Sequence, residues 1–154
     1  MKRGYNTGVA TVEFAIVGMI ALVLLIGVFE SARAIFVYNT LEESTRRAAR
    51  VAVVCPINDP AIAATALFTN NGGSALVSGL STDNIAVEYL NGTGTVLGNP
   101  TGSYGQIRFV RLRIQNFDHR FLIPLFSTSI RMPGFETTLP RESLGVSREG
   151  ERAC

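Results

Sequence analysis

Residues 8–29, GVATVEFAIVGMIALVLLIGVF, constrain this chain more than any other stretch. No charged residue falls between Phe14 and Phe29, and Val9 to Val12 extend the apolar run upstream. Wound as a helix, Val9 to Phe29 covers roughly 31 Å, about one hydrocarbon core. The segment is therefore expected to cross a lipid bilayer. Lys2 and Arg3, with the starting amine, flank one side of it. By the positive-inside rule they hold the N-terminus in the cytoplasm and send the C-terminal part outward.

Ala32-Arg33-Ala34 is a literal A-x-A and raises the alternative of a secretory signal cleaved after Ala34. Two features argue against it. The apolar run exceeds the ~7–15 residues usual for the core of such a signal. Helical periodicity also continues through the site. From Glu30 to Val54 there is no proline or glycine. Ile35, Tyr38, Leu41, Thr45, Ala48 and Ala52 recur at three- and four-residue spacing, giving one apolar-to-small face. Glu42 stands opposite Arg46, and Glu43 opposite Arg47, at i,i+4 in the favoured order. Pro56 ends the pattern, because a residue before proline is pushed out of the helical region. One helix from Val9 to Val54 would run about 69 Å. Less than half of that fits in lipid, so the upper part must pack on a domain or on partner helices.

The remaining composition narrows the class. The chain has 154 residues, 47% of them hydrophobic, with the excess concentrated before residue 30. Roughly 100 residues follow the helix, enough for one modest core. A net charge of +2 with scattered arginines argues against a nucleic-acid partner. Catalysis finds no support. Asp118 and His119 are adjacent and would face opposite ways on a strand. No serine or cysteine stands in a nucleophile motif, the glycines lack phosphate-loop order, and two cysteines with one histidine have no zinc spacing. No metal site and no cofactor is expected, and His119 reads as a surface turn residue. Cys55 and Cys154 are either a disulfide, closing a loop of about 100 residues worth nominally ~4–5 kcal/mol, or two unrelated thiols.

Past the helix, Asp59-Pro60 reads as N-cap and first position of a short helix, PAIAATALF, halted by NNGG. Residues 70–84 read as loop. IAVEYL is a strand, Asn91-Gly92 a turn, and TVLG a returning strand. QIRFVRLRIQNF is the best strand in the chain, with a change of phase that implies a bulge near Phe109 or Val110, or burial on both faces. Arg108, Arg111 and Arg113 form a basic stripe, read as a solvated face or as a binding edge. FLIPLF, STSIRM and FETTLP give a strand or two, separated by Pro133-Gly134. The expected fold is α+β, a long N-terminal helix, half transmembrane and half amphipathic, packed on a small antiparallel sheet.

Glu13 is the exception inside the apolar run. Near the interface it can snorkel to the headgroups, and the helix N-terminus favours its charge. A functional role would need a cation, which a new α-amine on Val9, one turn away, would supply in a packed array of helices. A short basic leader, Gly8, four residues, then Glu13-Phe14 and an apolar helix resemble a type IV prepilin signal. RGYNTGVATVEFAIV is similar, more narrowly, to the starts of TadE-like minor pilins (pseudopilins) of the tight-adherence, Flp-type pilus system. STRRAARVAVV and the tail FLIPLFSTSIRMPGFETTLPRESLG share the resemblance, whereas residues 56–105 match nothing familiar.

That resemblance implies cleavage between Gly8 and Val9 by a prepilin peptidase, with Glu13 and Phe14 guiding assembly. The implied organisation is a leader (1–8), a transmembrane and assembly segment (9–29), its periplasmic continuation (30–55) and a small α+β domain (56–154). Its implied setting is the bacterial inner membrane, with the C-terminal domain periplasmic. The partners implied are membrane lipid, the major Flp pilin, other minor pilins and an inner-membrane assembly platform. The alternative is an uncleaved, signal-anchored periplasmic binding or envelope protein.

Overall fold

The computed structural model describes residues 7–69, 75–122, 128–147, 150, 151 and 154. A single helix, α1, runs from Thr7 to Val54. Its 48 residues extend about 72 Å at 1.5 Å per residue. Burial divides it in two. Between Gly8 and Phe29 no residue is buried. From Glu30 upward a buried stripe appears at Val37, Leu41, Ser44, Thr45, Ala48, Ala49, Ala52 and Val53. This is the three- and four-residue spacing of one helix face. Its upper end is built of alanines because two elements approach it closely.

The first is α2, Pro60–Leu67, whose N-cap Asp59 accepts a hydrogen bond from the Ala61 amide at 2.8 Å. Proline at the first position loses no intrahelical bond there. Phe68 closes α2 in the left-handed conformation at φ 53°, so the helix ends before NNGG (residues 70–73, outside the described residues) is reached. The Ser44 hydroxyl donates to the Ala66 carbonyl, tying α2 to α1.

The second element is a three-stranded antiparallel sheet. Its strands are β1 (Ile85–Leu90), β2 (Phe109–Ile114) and β5 (Phe135–Pro140), in the order β1-β2-β5. Between β2 and β5 in sequence lie β3 (Asp118–Arg120) and β4 (Ser129–Arg131), a separate antiparallel pair; β6 (Val146–Ser147) and β7 (Gly150–Glu151) form a third. Val110, Leu112 and Ile114 of β2 point inward and join the α1 stripe, Ile62 and Phe135 in one core. Tyr38 meets Phe135 edge-to-face with centroids 4.9 Å apart, and Thr137 reaches Thr45 at 3.3 Å.

Several expectations shift. TVLG forms no strand and makes one bridge, Leu90 to Val96. The Asn91 side-chain oxygen accepts from the Thr93 and Thr95 amides and coils the chain into a closed loop. The phase change in QIRFVRLRIQNF sits at Arg108-Phe109. Ile107 is buried ahead of the strand, after a turn of 3₁₀ helix at Tyr104–Gln106. Leu90 pairs with Phe109 yet also accepts from the Arg108 amide, a bulge-like doubling. STSIRM and FETTLP contribute β4 and β5, which belong to different sheets; Ile123 to Ser127 lie outside the described residues. The basic stripe is neutralised. Arg111 pairs with Glu88 at 2.7 Å, and Arg113 with Glu88 at 3.4 Å and Glu136 at 3.2 Å. Arg108 turns to the Gly105 and Ile107 carbonyls.

The C-terminal segment closes the top of α1. A helix end leaves carbonyls without partners. Here Val53 accepts from the Glu142 and Leu144 amides, and Val54 from the Gly145 amide and the Ser143 hydroxyl. A disulfide joins Cys55, just past the helix, to Cys154, 99 positions on. Gly145 has φ +81°, and a Cβ there would come within 2.5 Å of Pro56 Cγ. Gly94 has a similar φ of +80° but open space around it. Forcing a side chain into this backbone region costs on the order of 1–3 kcal/mol. Gly145→Ala should therefore destabilise the full chain beyond Gly94→Ala, the excess measuring the collision with Pro56 in chemical denaturation in detergent. Reducing the disulfide should lower the unfolding free energy from the same titration, nominally by ~4–5 kcal/mol.

Candidate functional site

The sequence-predicted site residues fall at two ends of α1. Gly8 lies in its first turns, and Gly8, Val9, Val12, Glu13, Ile16 and Val17 line one shallow, almost wholly apolar surface. Val9 is 66% and Phe14 79% exposed. Val9 and Glu13 are four residues apart and share a helix face. Among the described residues no cation pairs with Glu13. Cys55 and Cys154 stand at the opposite end, bonded to each other.

The most apolar window of α1 has a mean hydropathy of 2.7, and none of it is buried within the protein. Burying an apolar side chain of this size is worth about 1.5–3 kcal/mol, so more than a dozen such side chains left open require an apolar surrounding. Gly18 and Gly27 sit in this half, and a Cβ on either would touch nothing. Glycine inside a helix costs ~1 kcal/mol relative to alanine, and the packing of this chain on itself does not call for it.

A second cluster lies where the apolar run ends, and sequence reasoning missed it. Glu30 is only 4% exposed. Its carboxylate accepts from Arg33 at 3.3 Å and from the Leu122 amide at 3.2 Å. Arg33 also donates to the Arg120 carbonyl. The end of β3 and the residues just after it are thereby held beside the first charged residue above the apolar run. In the sequence Glu30 looks like an ordinary boundary carboxylate with Arg33 at i+3; its other partner, the Leu122 amide, lies 92 positions away and no local pattern announces it.

His119 belongs to this region and corrects the reading of a surface turn residue. On β3 it faces inward at 3% exposure, edge-on to Phe121, while Asp118 faces out and pairs with Arg131 at 3.3 Å. The opposite directions follow from strand alternation. Among the described residues its Nε2 has no hydrogen-bond partner. Burial holds the imidazole pKa below the ordinary 6.5, Arg33 pushes the same way, and Glu30 opposes them. His119 lines a cavity of about 680 Å³ with Arg33, Phe36, Val77, Phe117 and Leu122. Among the described residues no group of three His, Cys, Asp or Glu side chains could hold a metal ion.

A neutral, buried imidazole contributes to stability in a defined direction. The folded state binds its proton less tightly than the unfolded chain, so stability present above pH 6.5 is lost as pH falls toward the depressed value. In denaturant titrations between about pH 5 and 7.5, His119→Phe should lose the part of the acid sensitivity that His119 supplies. An unchanged pH slope would show that the ring is not held neutral.

Fold and exposure together define a class: a small α+β domain carried on one apolar helix long enough to cross a membrane. The comparisons with known proteins then single out the helix. The model of TadE-like proteins matches residues 8–50. Over that segment the chain is TadE-like, which points to a protein associated with the Tad pilus. The match begins at Gly8 and stops within α1, so the tail that shares the resemblance lies outside it. No curated protein and no solved structure matches the chain.

Proposed function

We propose that the protein is a structural minor pilin, or pseudopilin, of a Flp-type pilus, made as a membrane-inserted precursor and trimmed between Gly8 and Val9. The observation that carries the reading is the coincidence of two boundaries. The TadE-like match starts at Gly8, and the uninterrupted apolar run of the sequence starts beside it, at Val9. In this reading the helix is stored in the inner membrane with its N-terminus cytoplasmic and its sheet domain periplasmic. A prepilin peptidase removes residues 1–8. The assembly platform then exchanges the lipid around the helix for helices of the major pilin and other minor pilins.

Glu13 acquires its role at the cut. Cleavage creates an α-amine on Val9, one helical turn from the carboxylate. In an array of parallel helices that amine meets Glu13 of a neighbour, and two costly charges in an apolar setting compensate each other. The unused space around Gly18 and Gly27 suits the close approach of such neighbours. The protein acts by being incorporated, not by catalysis, and its product is surface adherence through the pilus.

Intact mass or N-terminal sequencing of protein from membrane fractions tests the processing step. A mature chain beginning at Val9 is expected. A chain beginning at Met1 would return the protein to the class of signal-anchored periplasmic binding or envelope proteins, and one beginning at Ile35 would make it a secreted domain. The assembly role is tested separately. Glu13→Ala should leave membrane insertion intact, since it removes a charge that costs ~2.5–3.5 kcal/mol at mid-bilayer on insertion scales and less near the interface. It should nevertheless reduce incorporation into sheared pili, and normal pili would rule out the charge-pairing role.

A further inference from the structure

The disulfide joins two sulfurs held in unlike settings. Cys55 follows directly on α1, is only 3% exposed, and its amide still donates to the Val51 carbonyl at 2.8 Å. Residues 142–145 close over this end of the helix. The Val53 and Val54 carbonyls take the Glu142, Leu144 and Gly145 amides, and Gly145 lies tight against Pro56. Leu144 anchors the cover from beneath. It is 1% exposed, in the main core, at φ 46°, a left-handed conformation that leucine keeps only where packing holds it.

Cys154, by contrast, is exposed. Its amide donates to Asp59 Oδ2 at 3.2 Å, while Asp59 Oδ1 takes the Ala61 amide at the start of α2. Hydrogen bonds make both seats, so the fold itself brings the two sulfurs together. Disulfides form by exchange: a thiolate attacks a sulfur of an existing disulfide, and a mixed disulfide is the intermediate. Charge does not separate the two cysteines here. Cys55 stands at the carbonyl end of α1 and Cys154 beside the Asp59 carboxylate, and both settings disfavour a thiolate. Access does separate them. A partner's disulfide reaches Cys154 from solvent, whereas Cys55 is shielded beneath residues 142–145.

We propose that the protein is the substrate of a dithiol oxidase, a protein carrying an exchangeable disulfide, with Cys154 as the entry cysteine and Cys55 as the resolving one. The Cys154 thiolate attacks one sulfur of the oxidase disulfide and expels the other as a thiolate, leaving a mixed disulfide. Cys55, losing its proton, attacks Cys154 Sγ and expels the second oxidase thiolate. The two cysteines give up two electrons and two protons, and the oxidase disulfide becomes a dithiol. The intramolecular second step is favoured by the high local concentration of the neighbouring sulfur. The product locks the cover over the top of α1. A reductant from solvent then meets only Cys154 Sγ and must expel Cys55 from under that cover. The step rests on the proposed export of the sheet domain, because such oxidation persists outside the reducing cytoplasm.

The order of the two cysteines is read on the reduced full chain in detergent, with oxidised glutathione as the probe and intact mass as the readout. Cys55→Ser, which leaves Cys154, should form the mixed disulfide several-fold faster than Cys154→Ser, and denaturant should abolish the difference. Adding Gly145→Ala to Cys154→Ser should speed the reaction of Cys55 by disturbing the cover. Brief alkylation of the reduced natural chain with N-ethylmaleimide, followed by peptide mapping, reads the same order without a variant and should label Cys154 ahead of Cys55. Equal labelling, or Cys55 first, overturns the assignment. The oxidase step is read separately, by alkylating membrane fractions from acid-quenched cells. Protection of both cysteines until a reductant is added is expected. Free thiols on both would overturn the oxidase step together with the exported placement, whatever the order found in detergent.

Discussion

The fold depends on one mismatch of length. A helix of 48 residues is about twice as long as a hydrocarbon core needs, and its upper half cannot be satisfied by lipid. The stripe from Val37 to Val53 must be covered by protein, and α2 and the β1-β2-β5 sheet exist largely to cover it. The alanines at positions 48, 49 and 52 are fully buried; larger side chains would hold α2 and β2 away from the helix. Ser44 and Thr45, also buried, are accommodated because each has a hydrogen-bond acceptor, the Ala66 and Glu42 carbonyls.

The top of the helix shows how far the sequence is used to protect it. The carbonyls of Val53 and Val54 are satisfied by residues 142–145, while the covalent bond from Cys55 to Cys154 holds the chain end to the same place. Chain segments separated by nearly the whole domain converge on one turn of helix. A bridge over so long a loop restricts the unfolded chain strongly, which suits a domain whose own core is modest. The lower boundary uses polar chemistry in the same way. Glu30, Arg33 and the backbone of β3 and the residues after it form a closed set of donors and acceptors where apolar surroundings end.

Much of this was legible one element at a time. Apolar length marked the lower half of α1, and spacing of three and four marked its upper face. Asp59-Pro60 marked α2, and alternation marked β1 and β2. TVLG returns along β1 for one bridge only: the Leu97 amide still donates to the Tyr89 carbonyl, but the Asn91 side chain takes the Thr95 amide, a competing local acceptor that alternation does not reveal. Of the two readings of the arginine stripe, the edge fails because β2 is the central strand; what the strand alone did not show is that Glu88 and Glu136 stand across from the arginines on its two neighbours. His119 gave no sequence signal of burial: a short strand beside a charged residue has no periodicity to read.

The sequence by itself determined the long helix, its division into a lipid-compatible half and a protein-facing half, and the glycine–glutamate spacing at its start, which lies within the TadE-like match. These are properties of consecutive residues, set by helix geometry and by transfer of side chains out of water. Only the tertiary structure decided that β4 and β5 part into separate sheets, that residues 142–145 cap the helix, and that Glu30 and His119 are buried together beside the end of the apolar run. Those outcomes depend on which distant groups satisfy one another's hydrogen bonds and charges, and chain order does not encode that pairing locally.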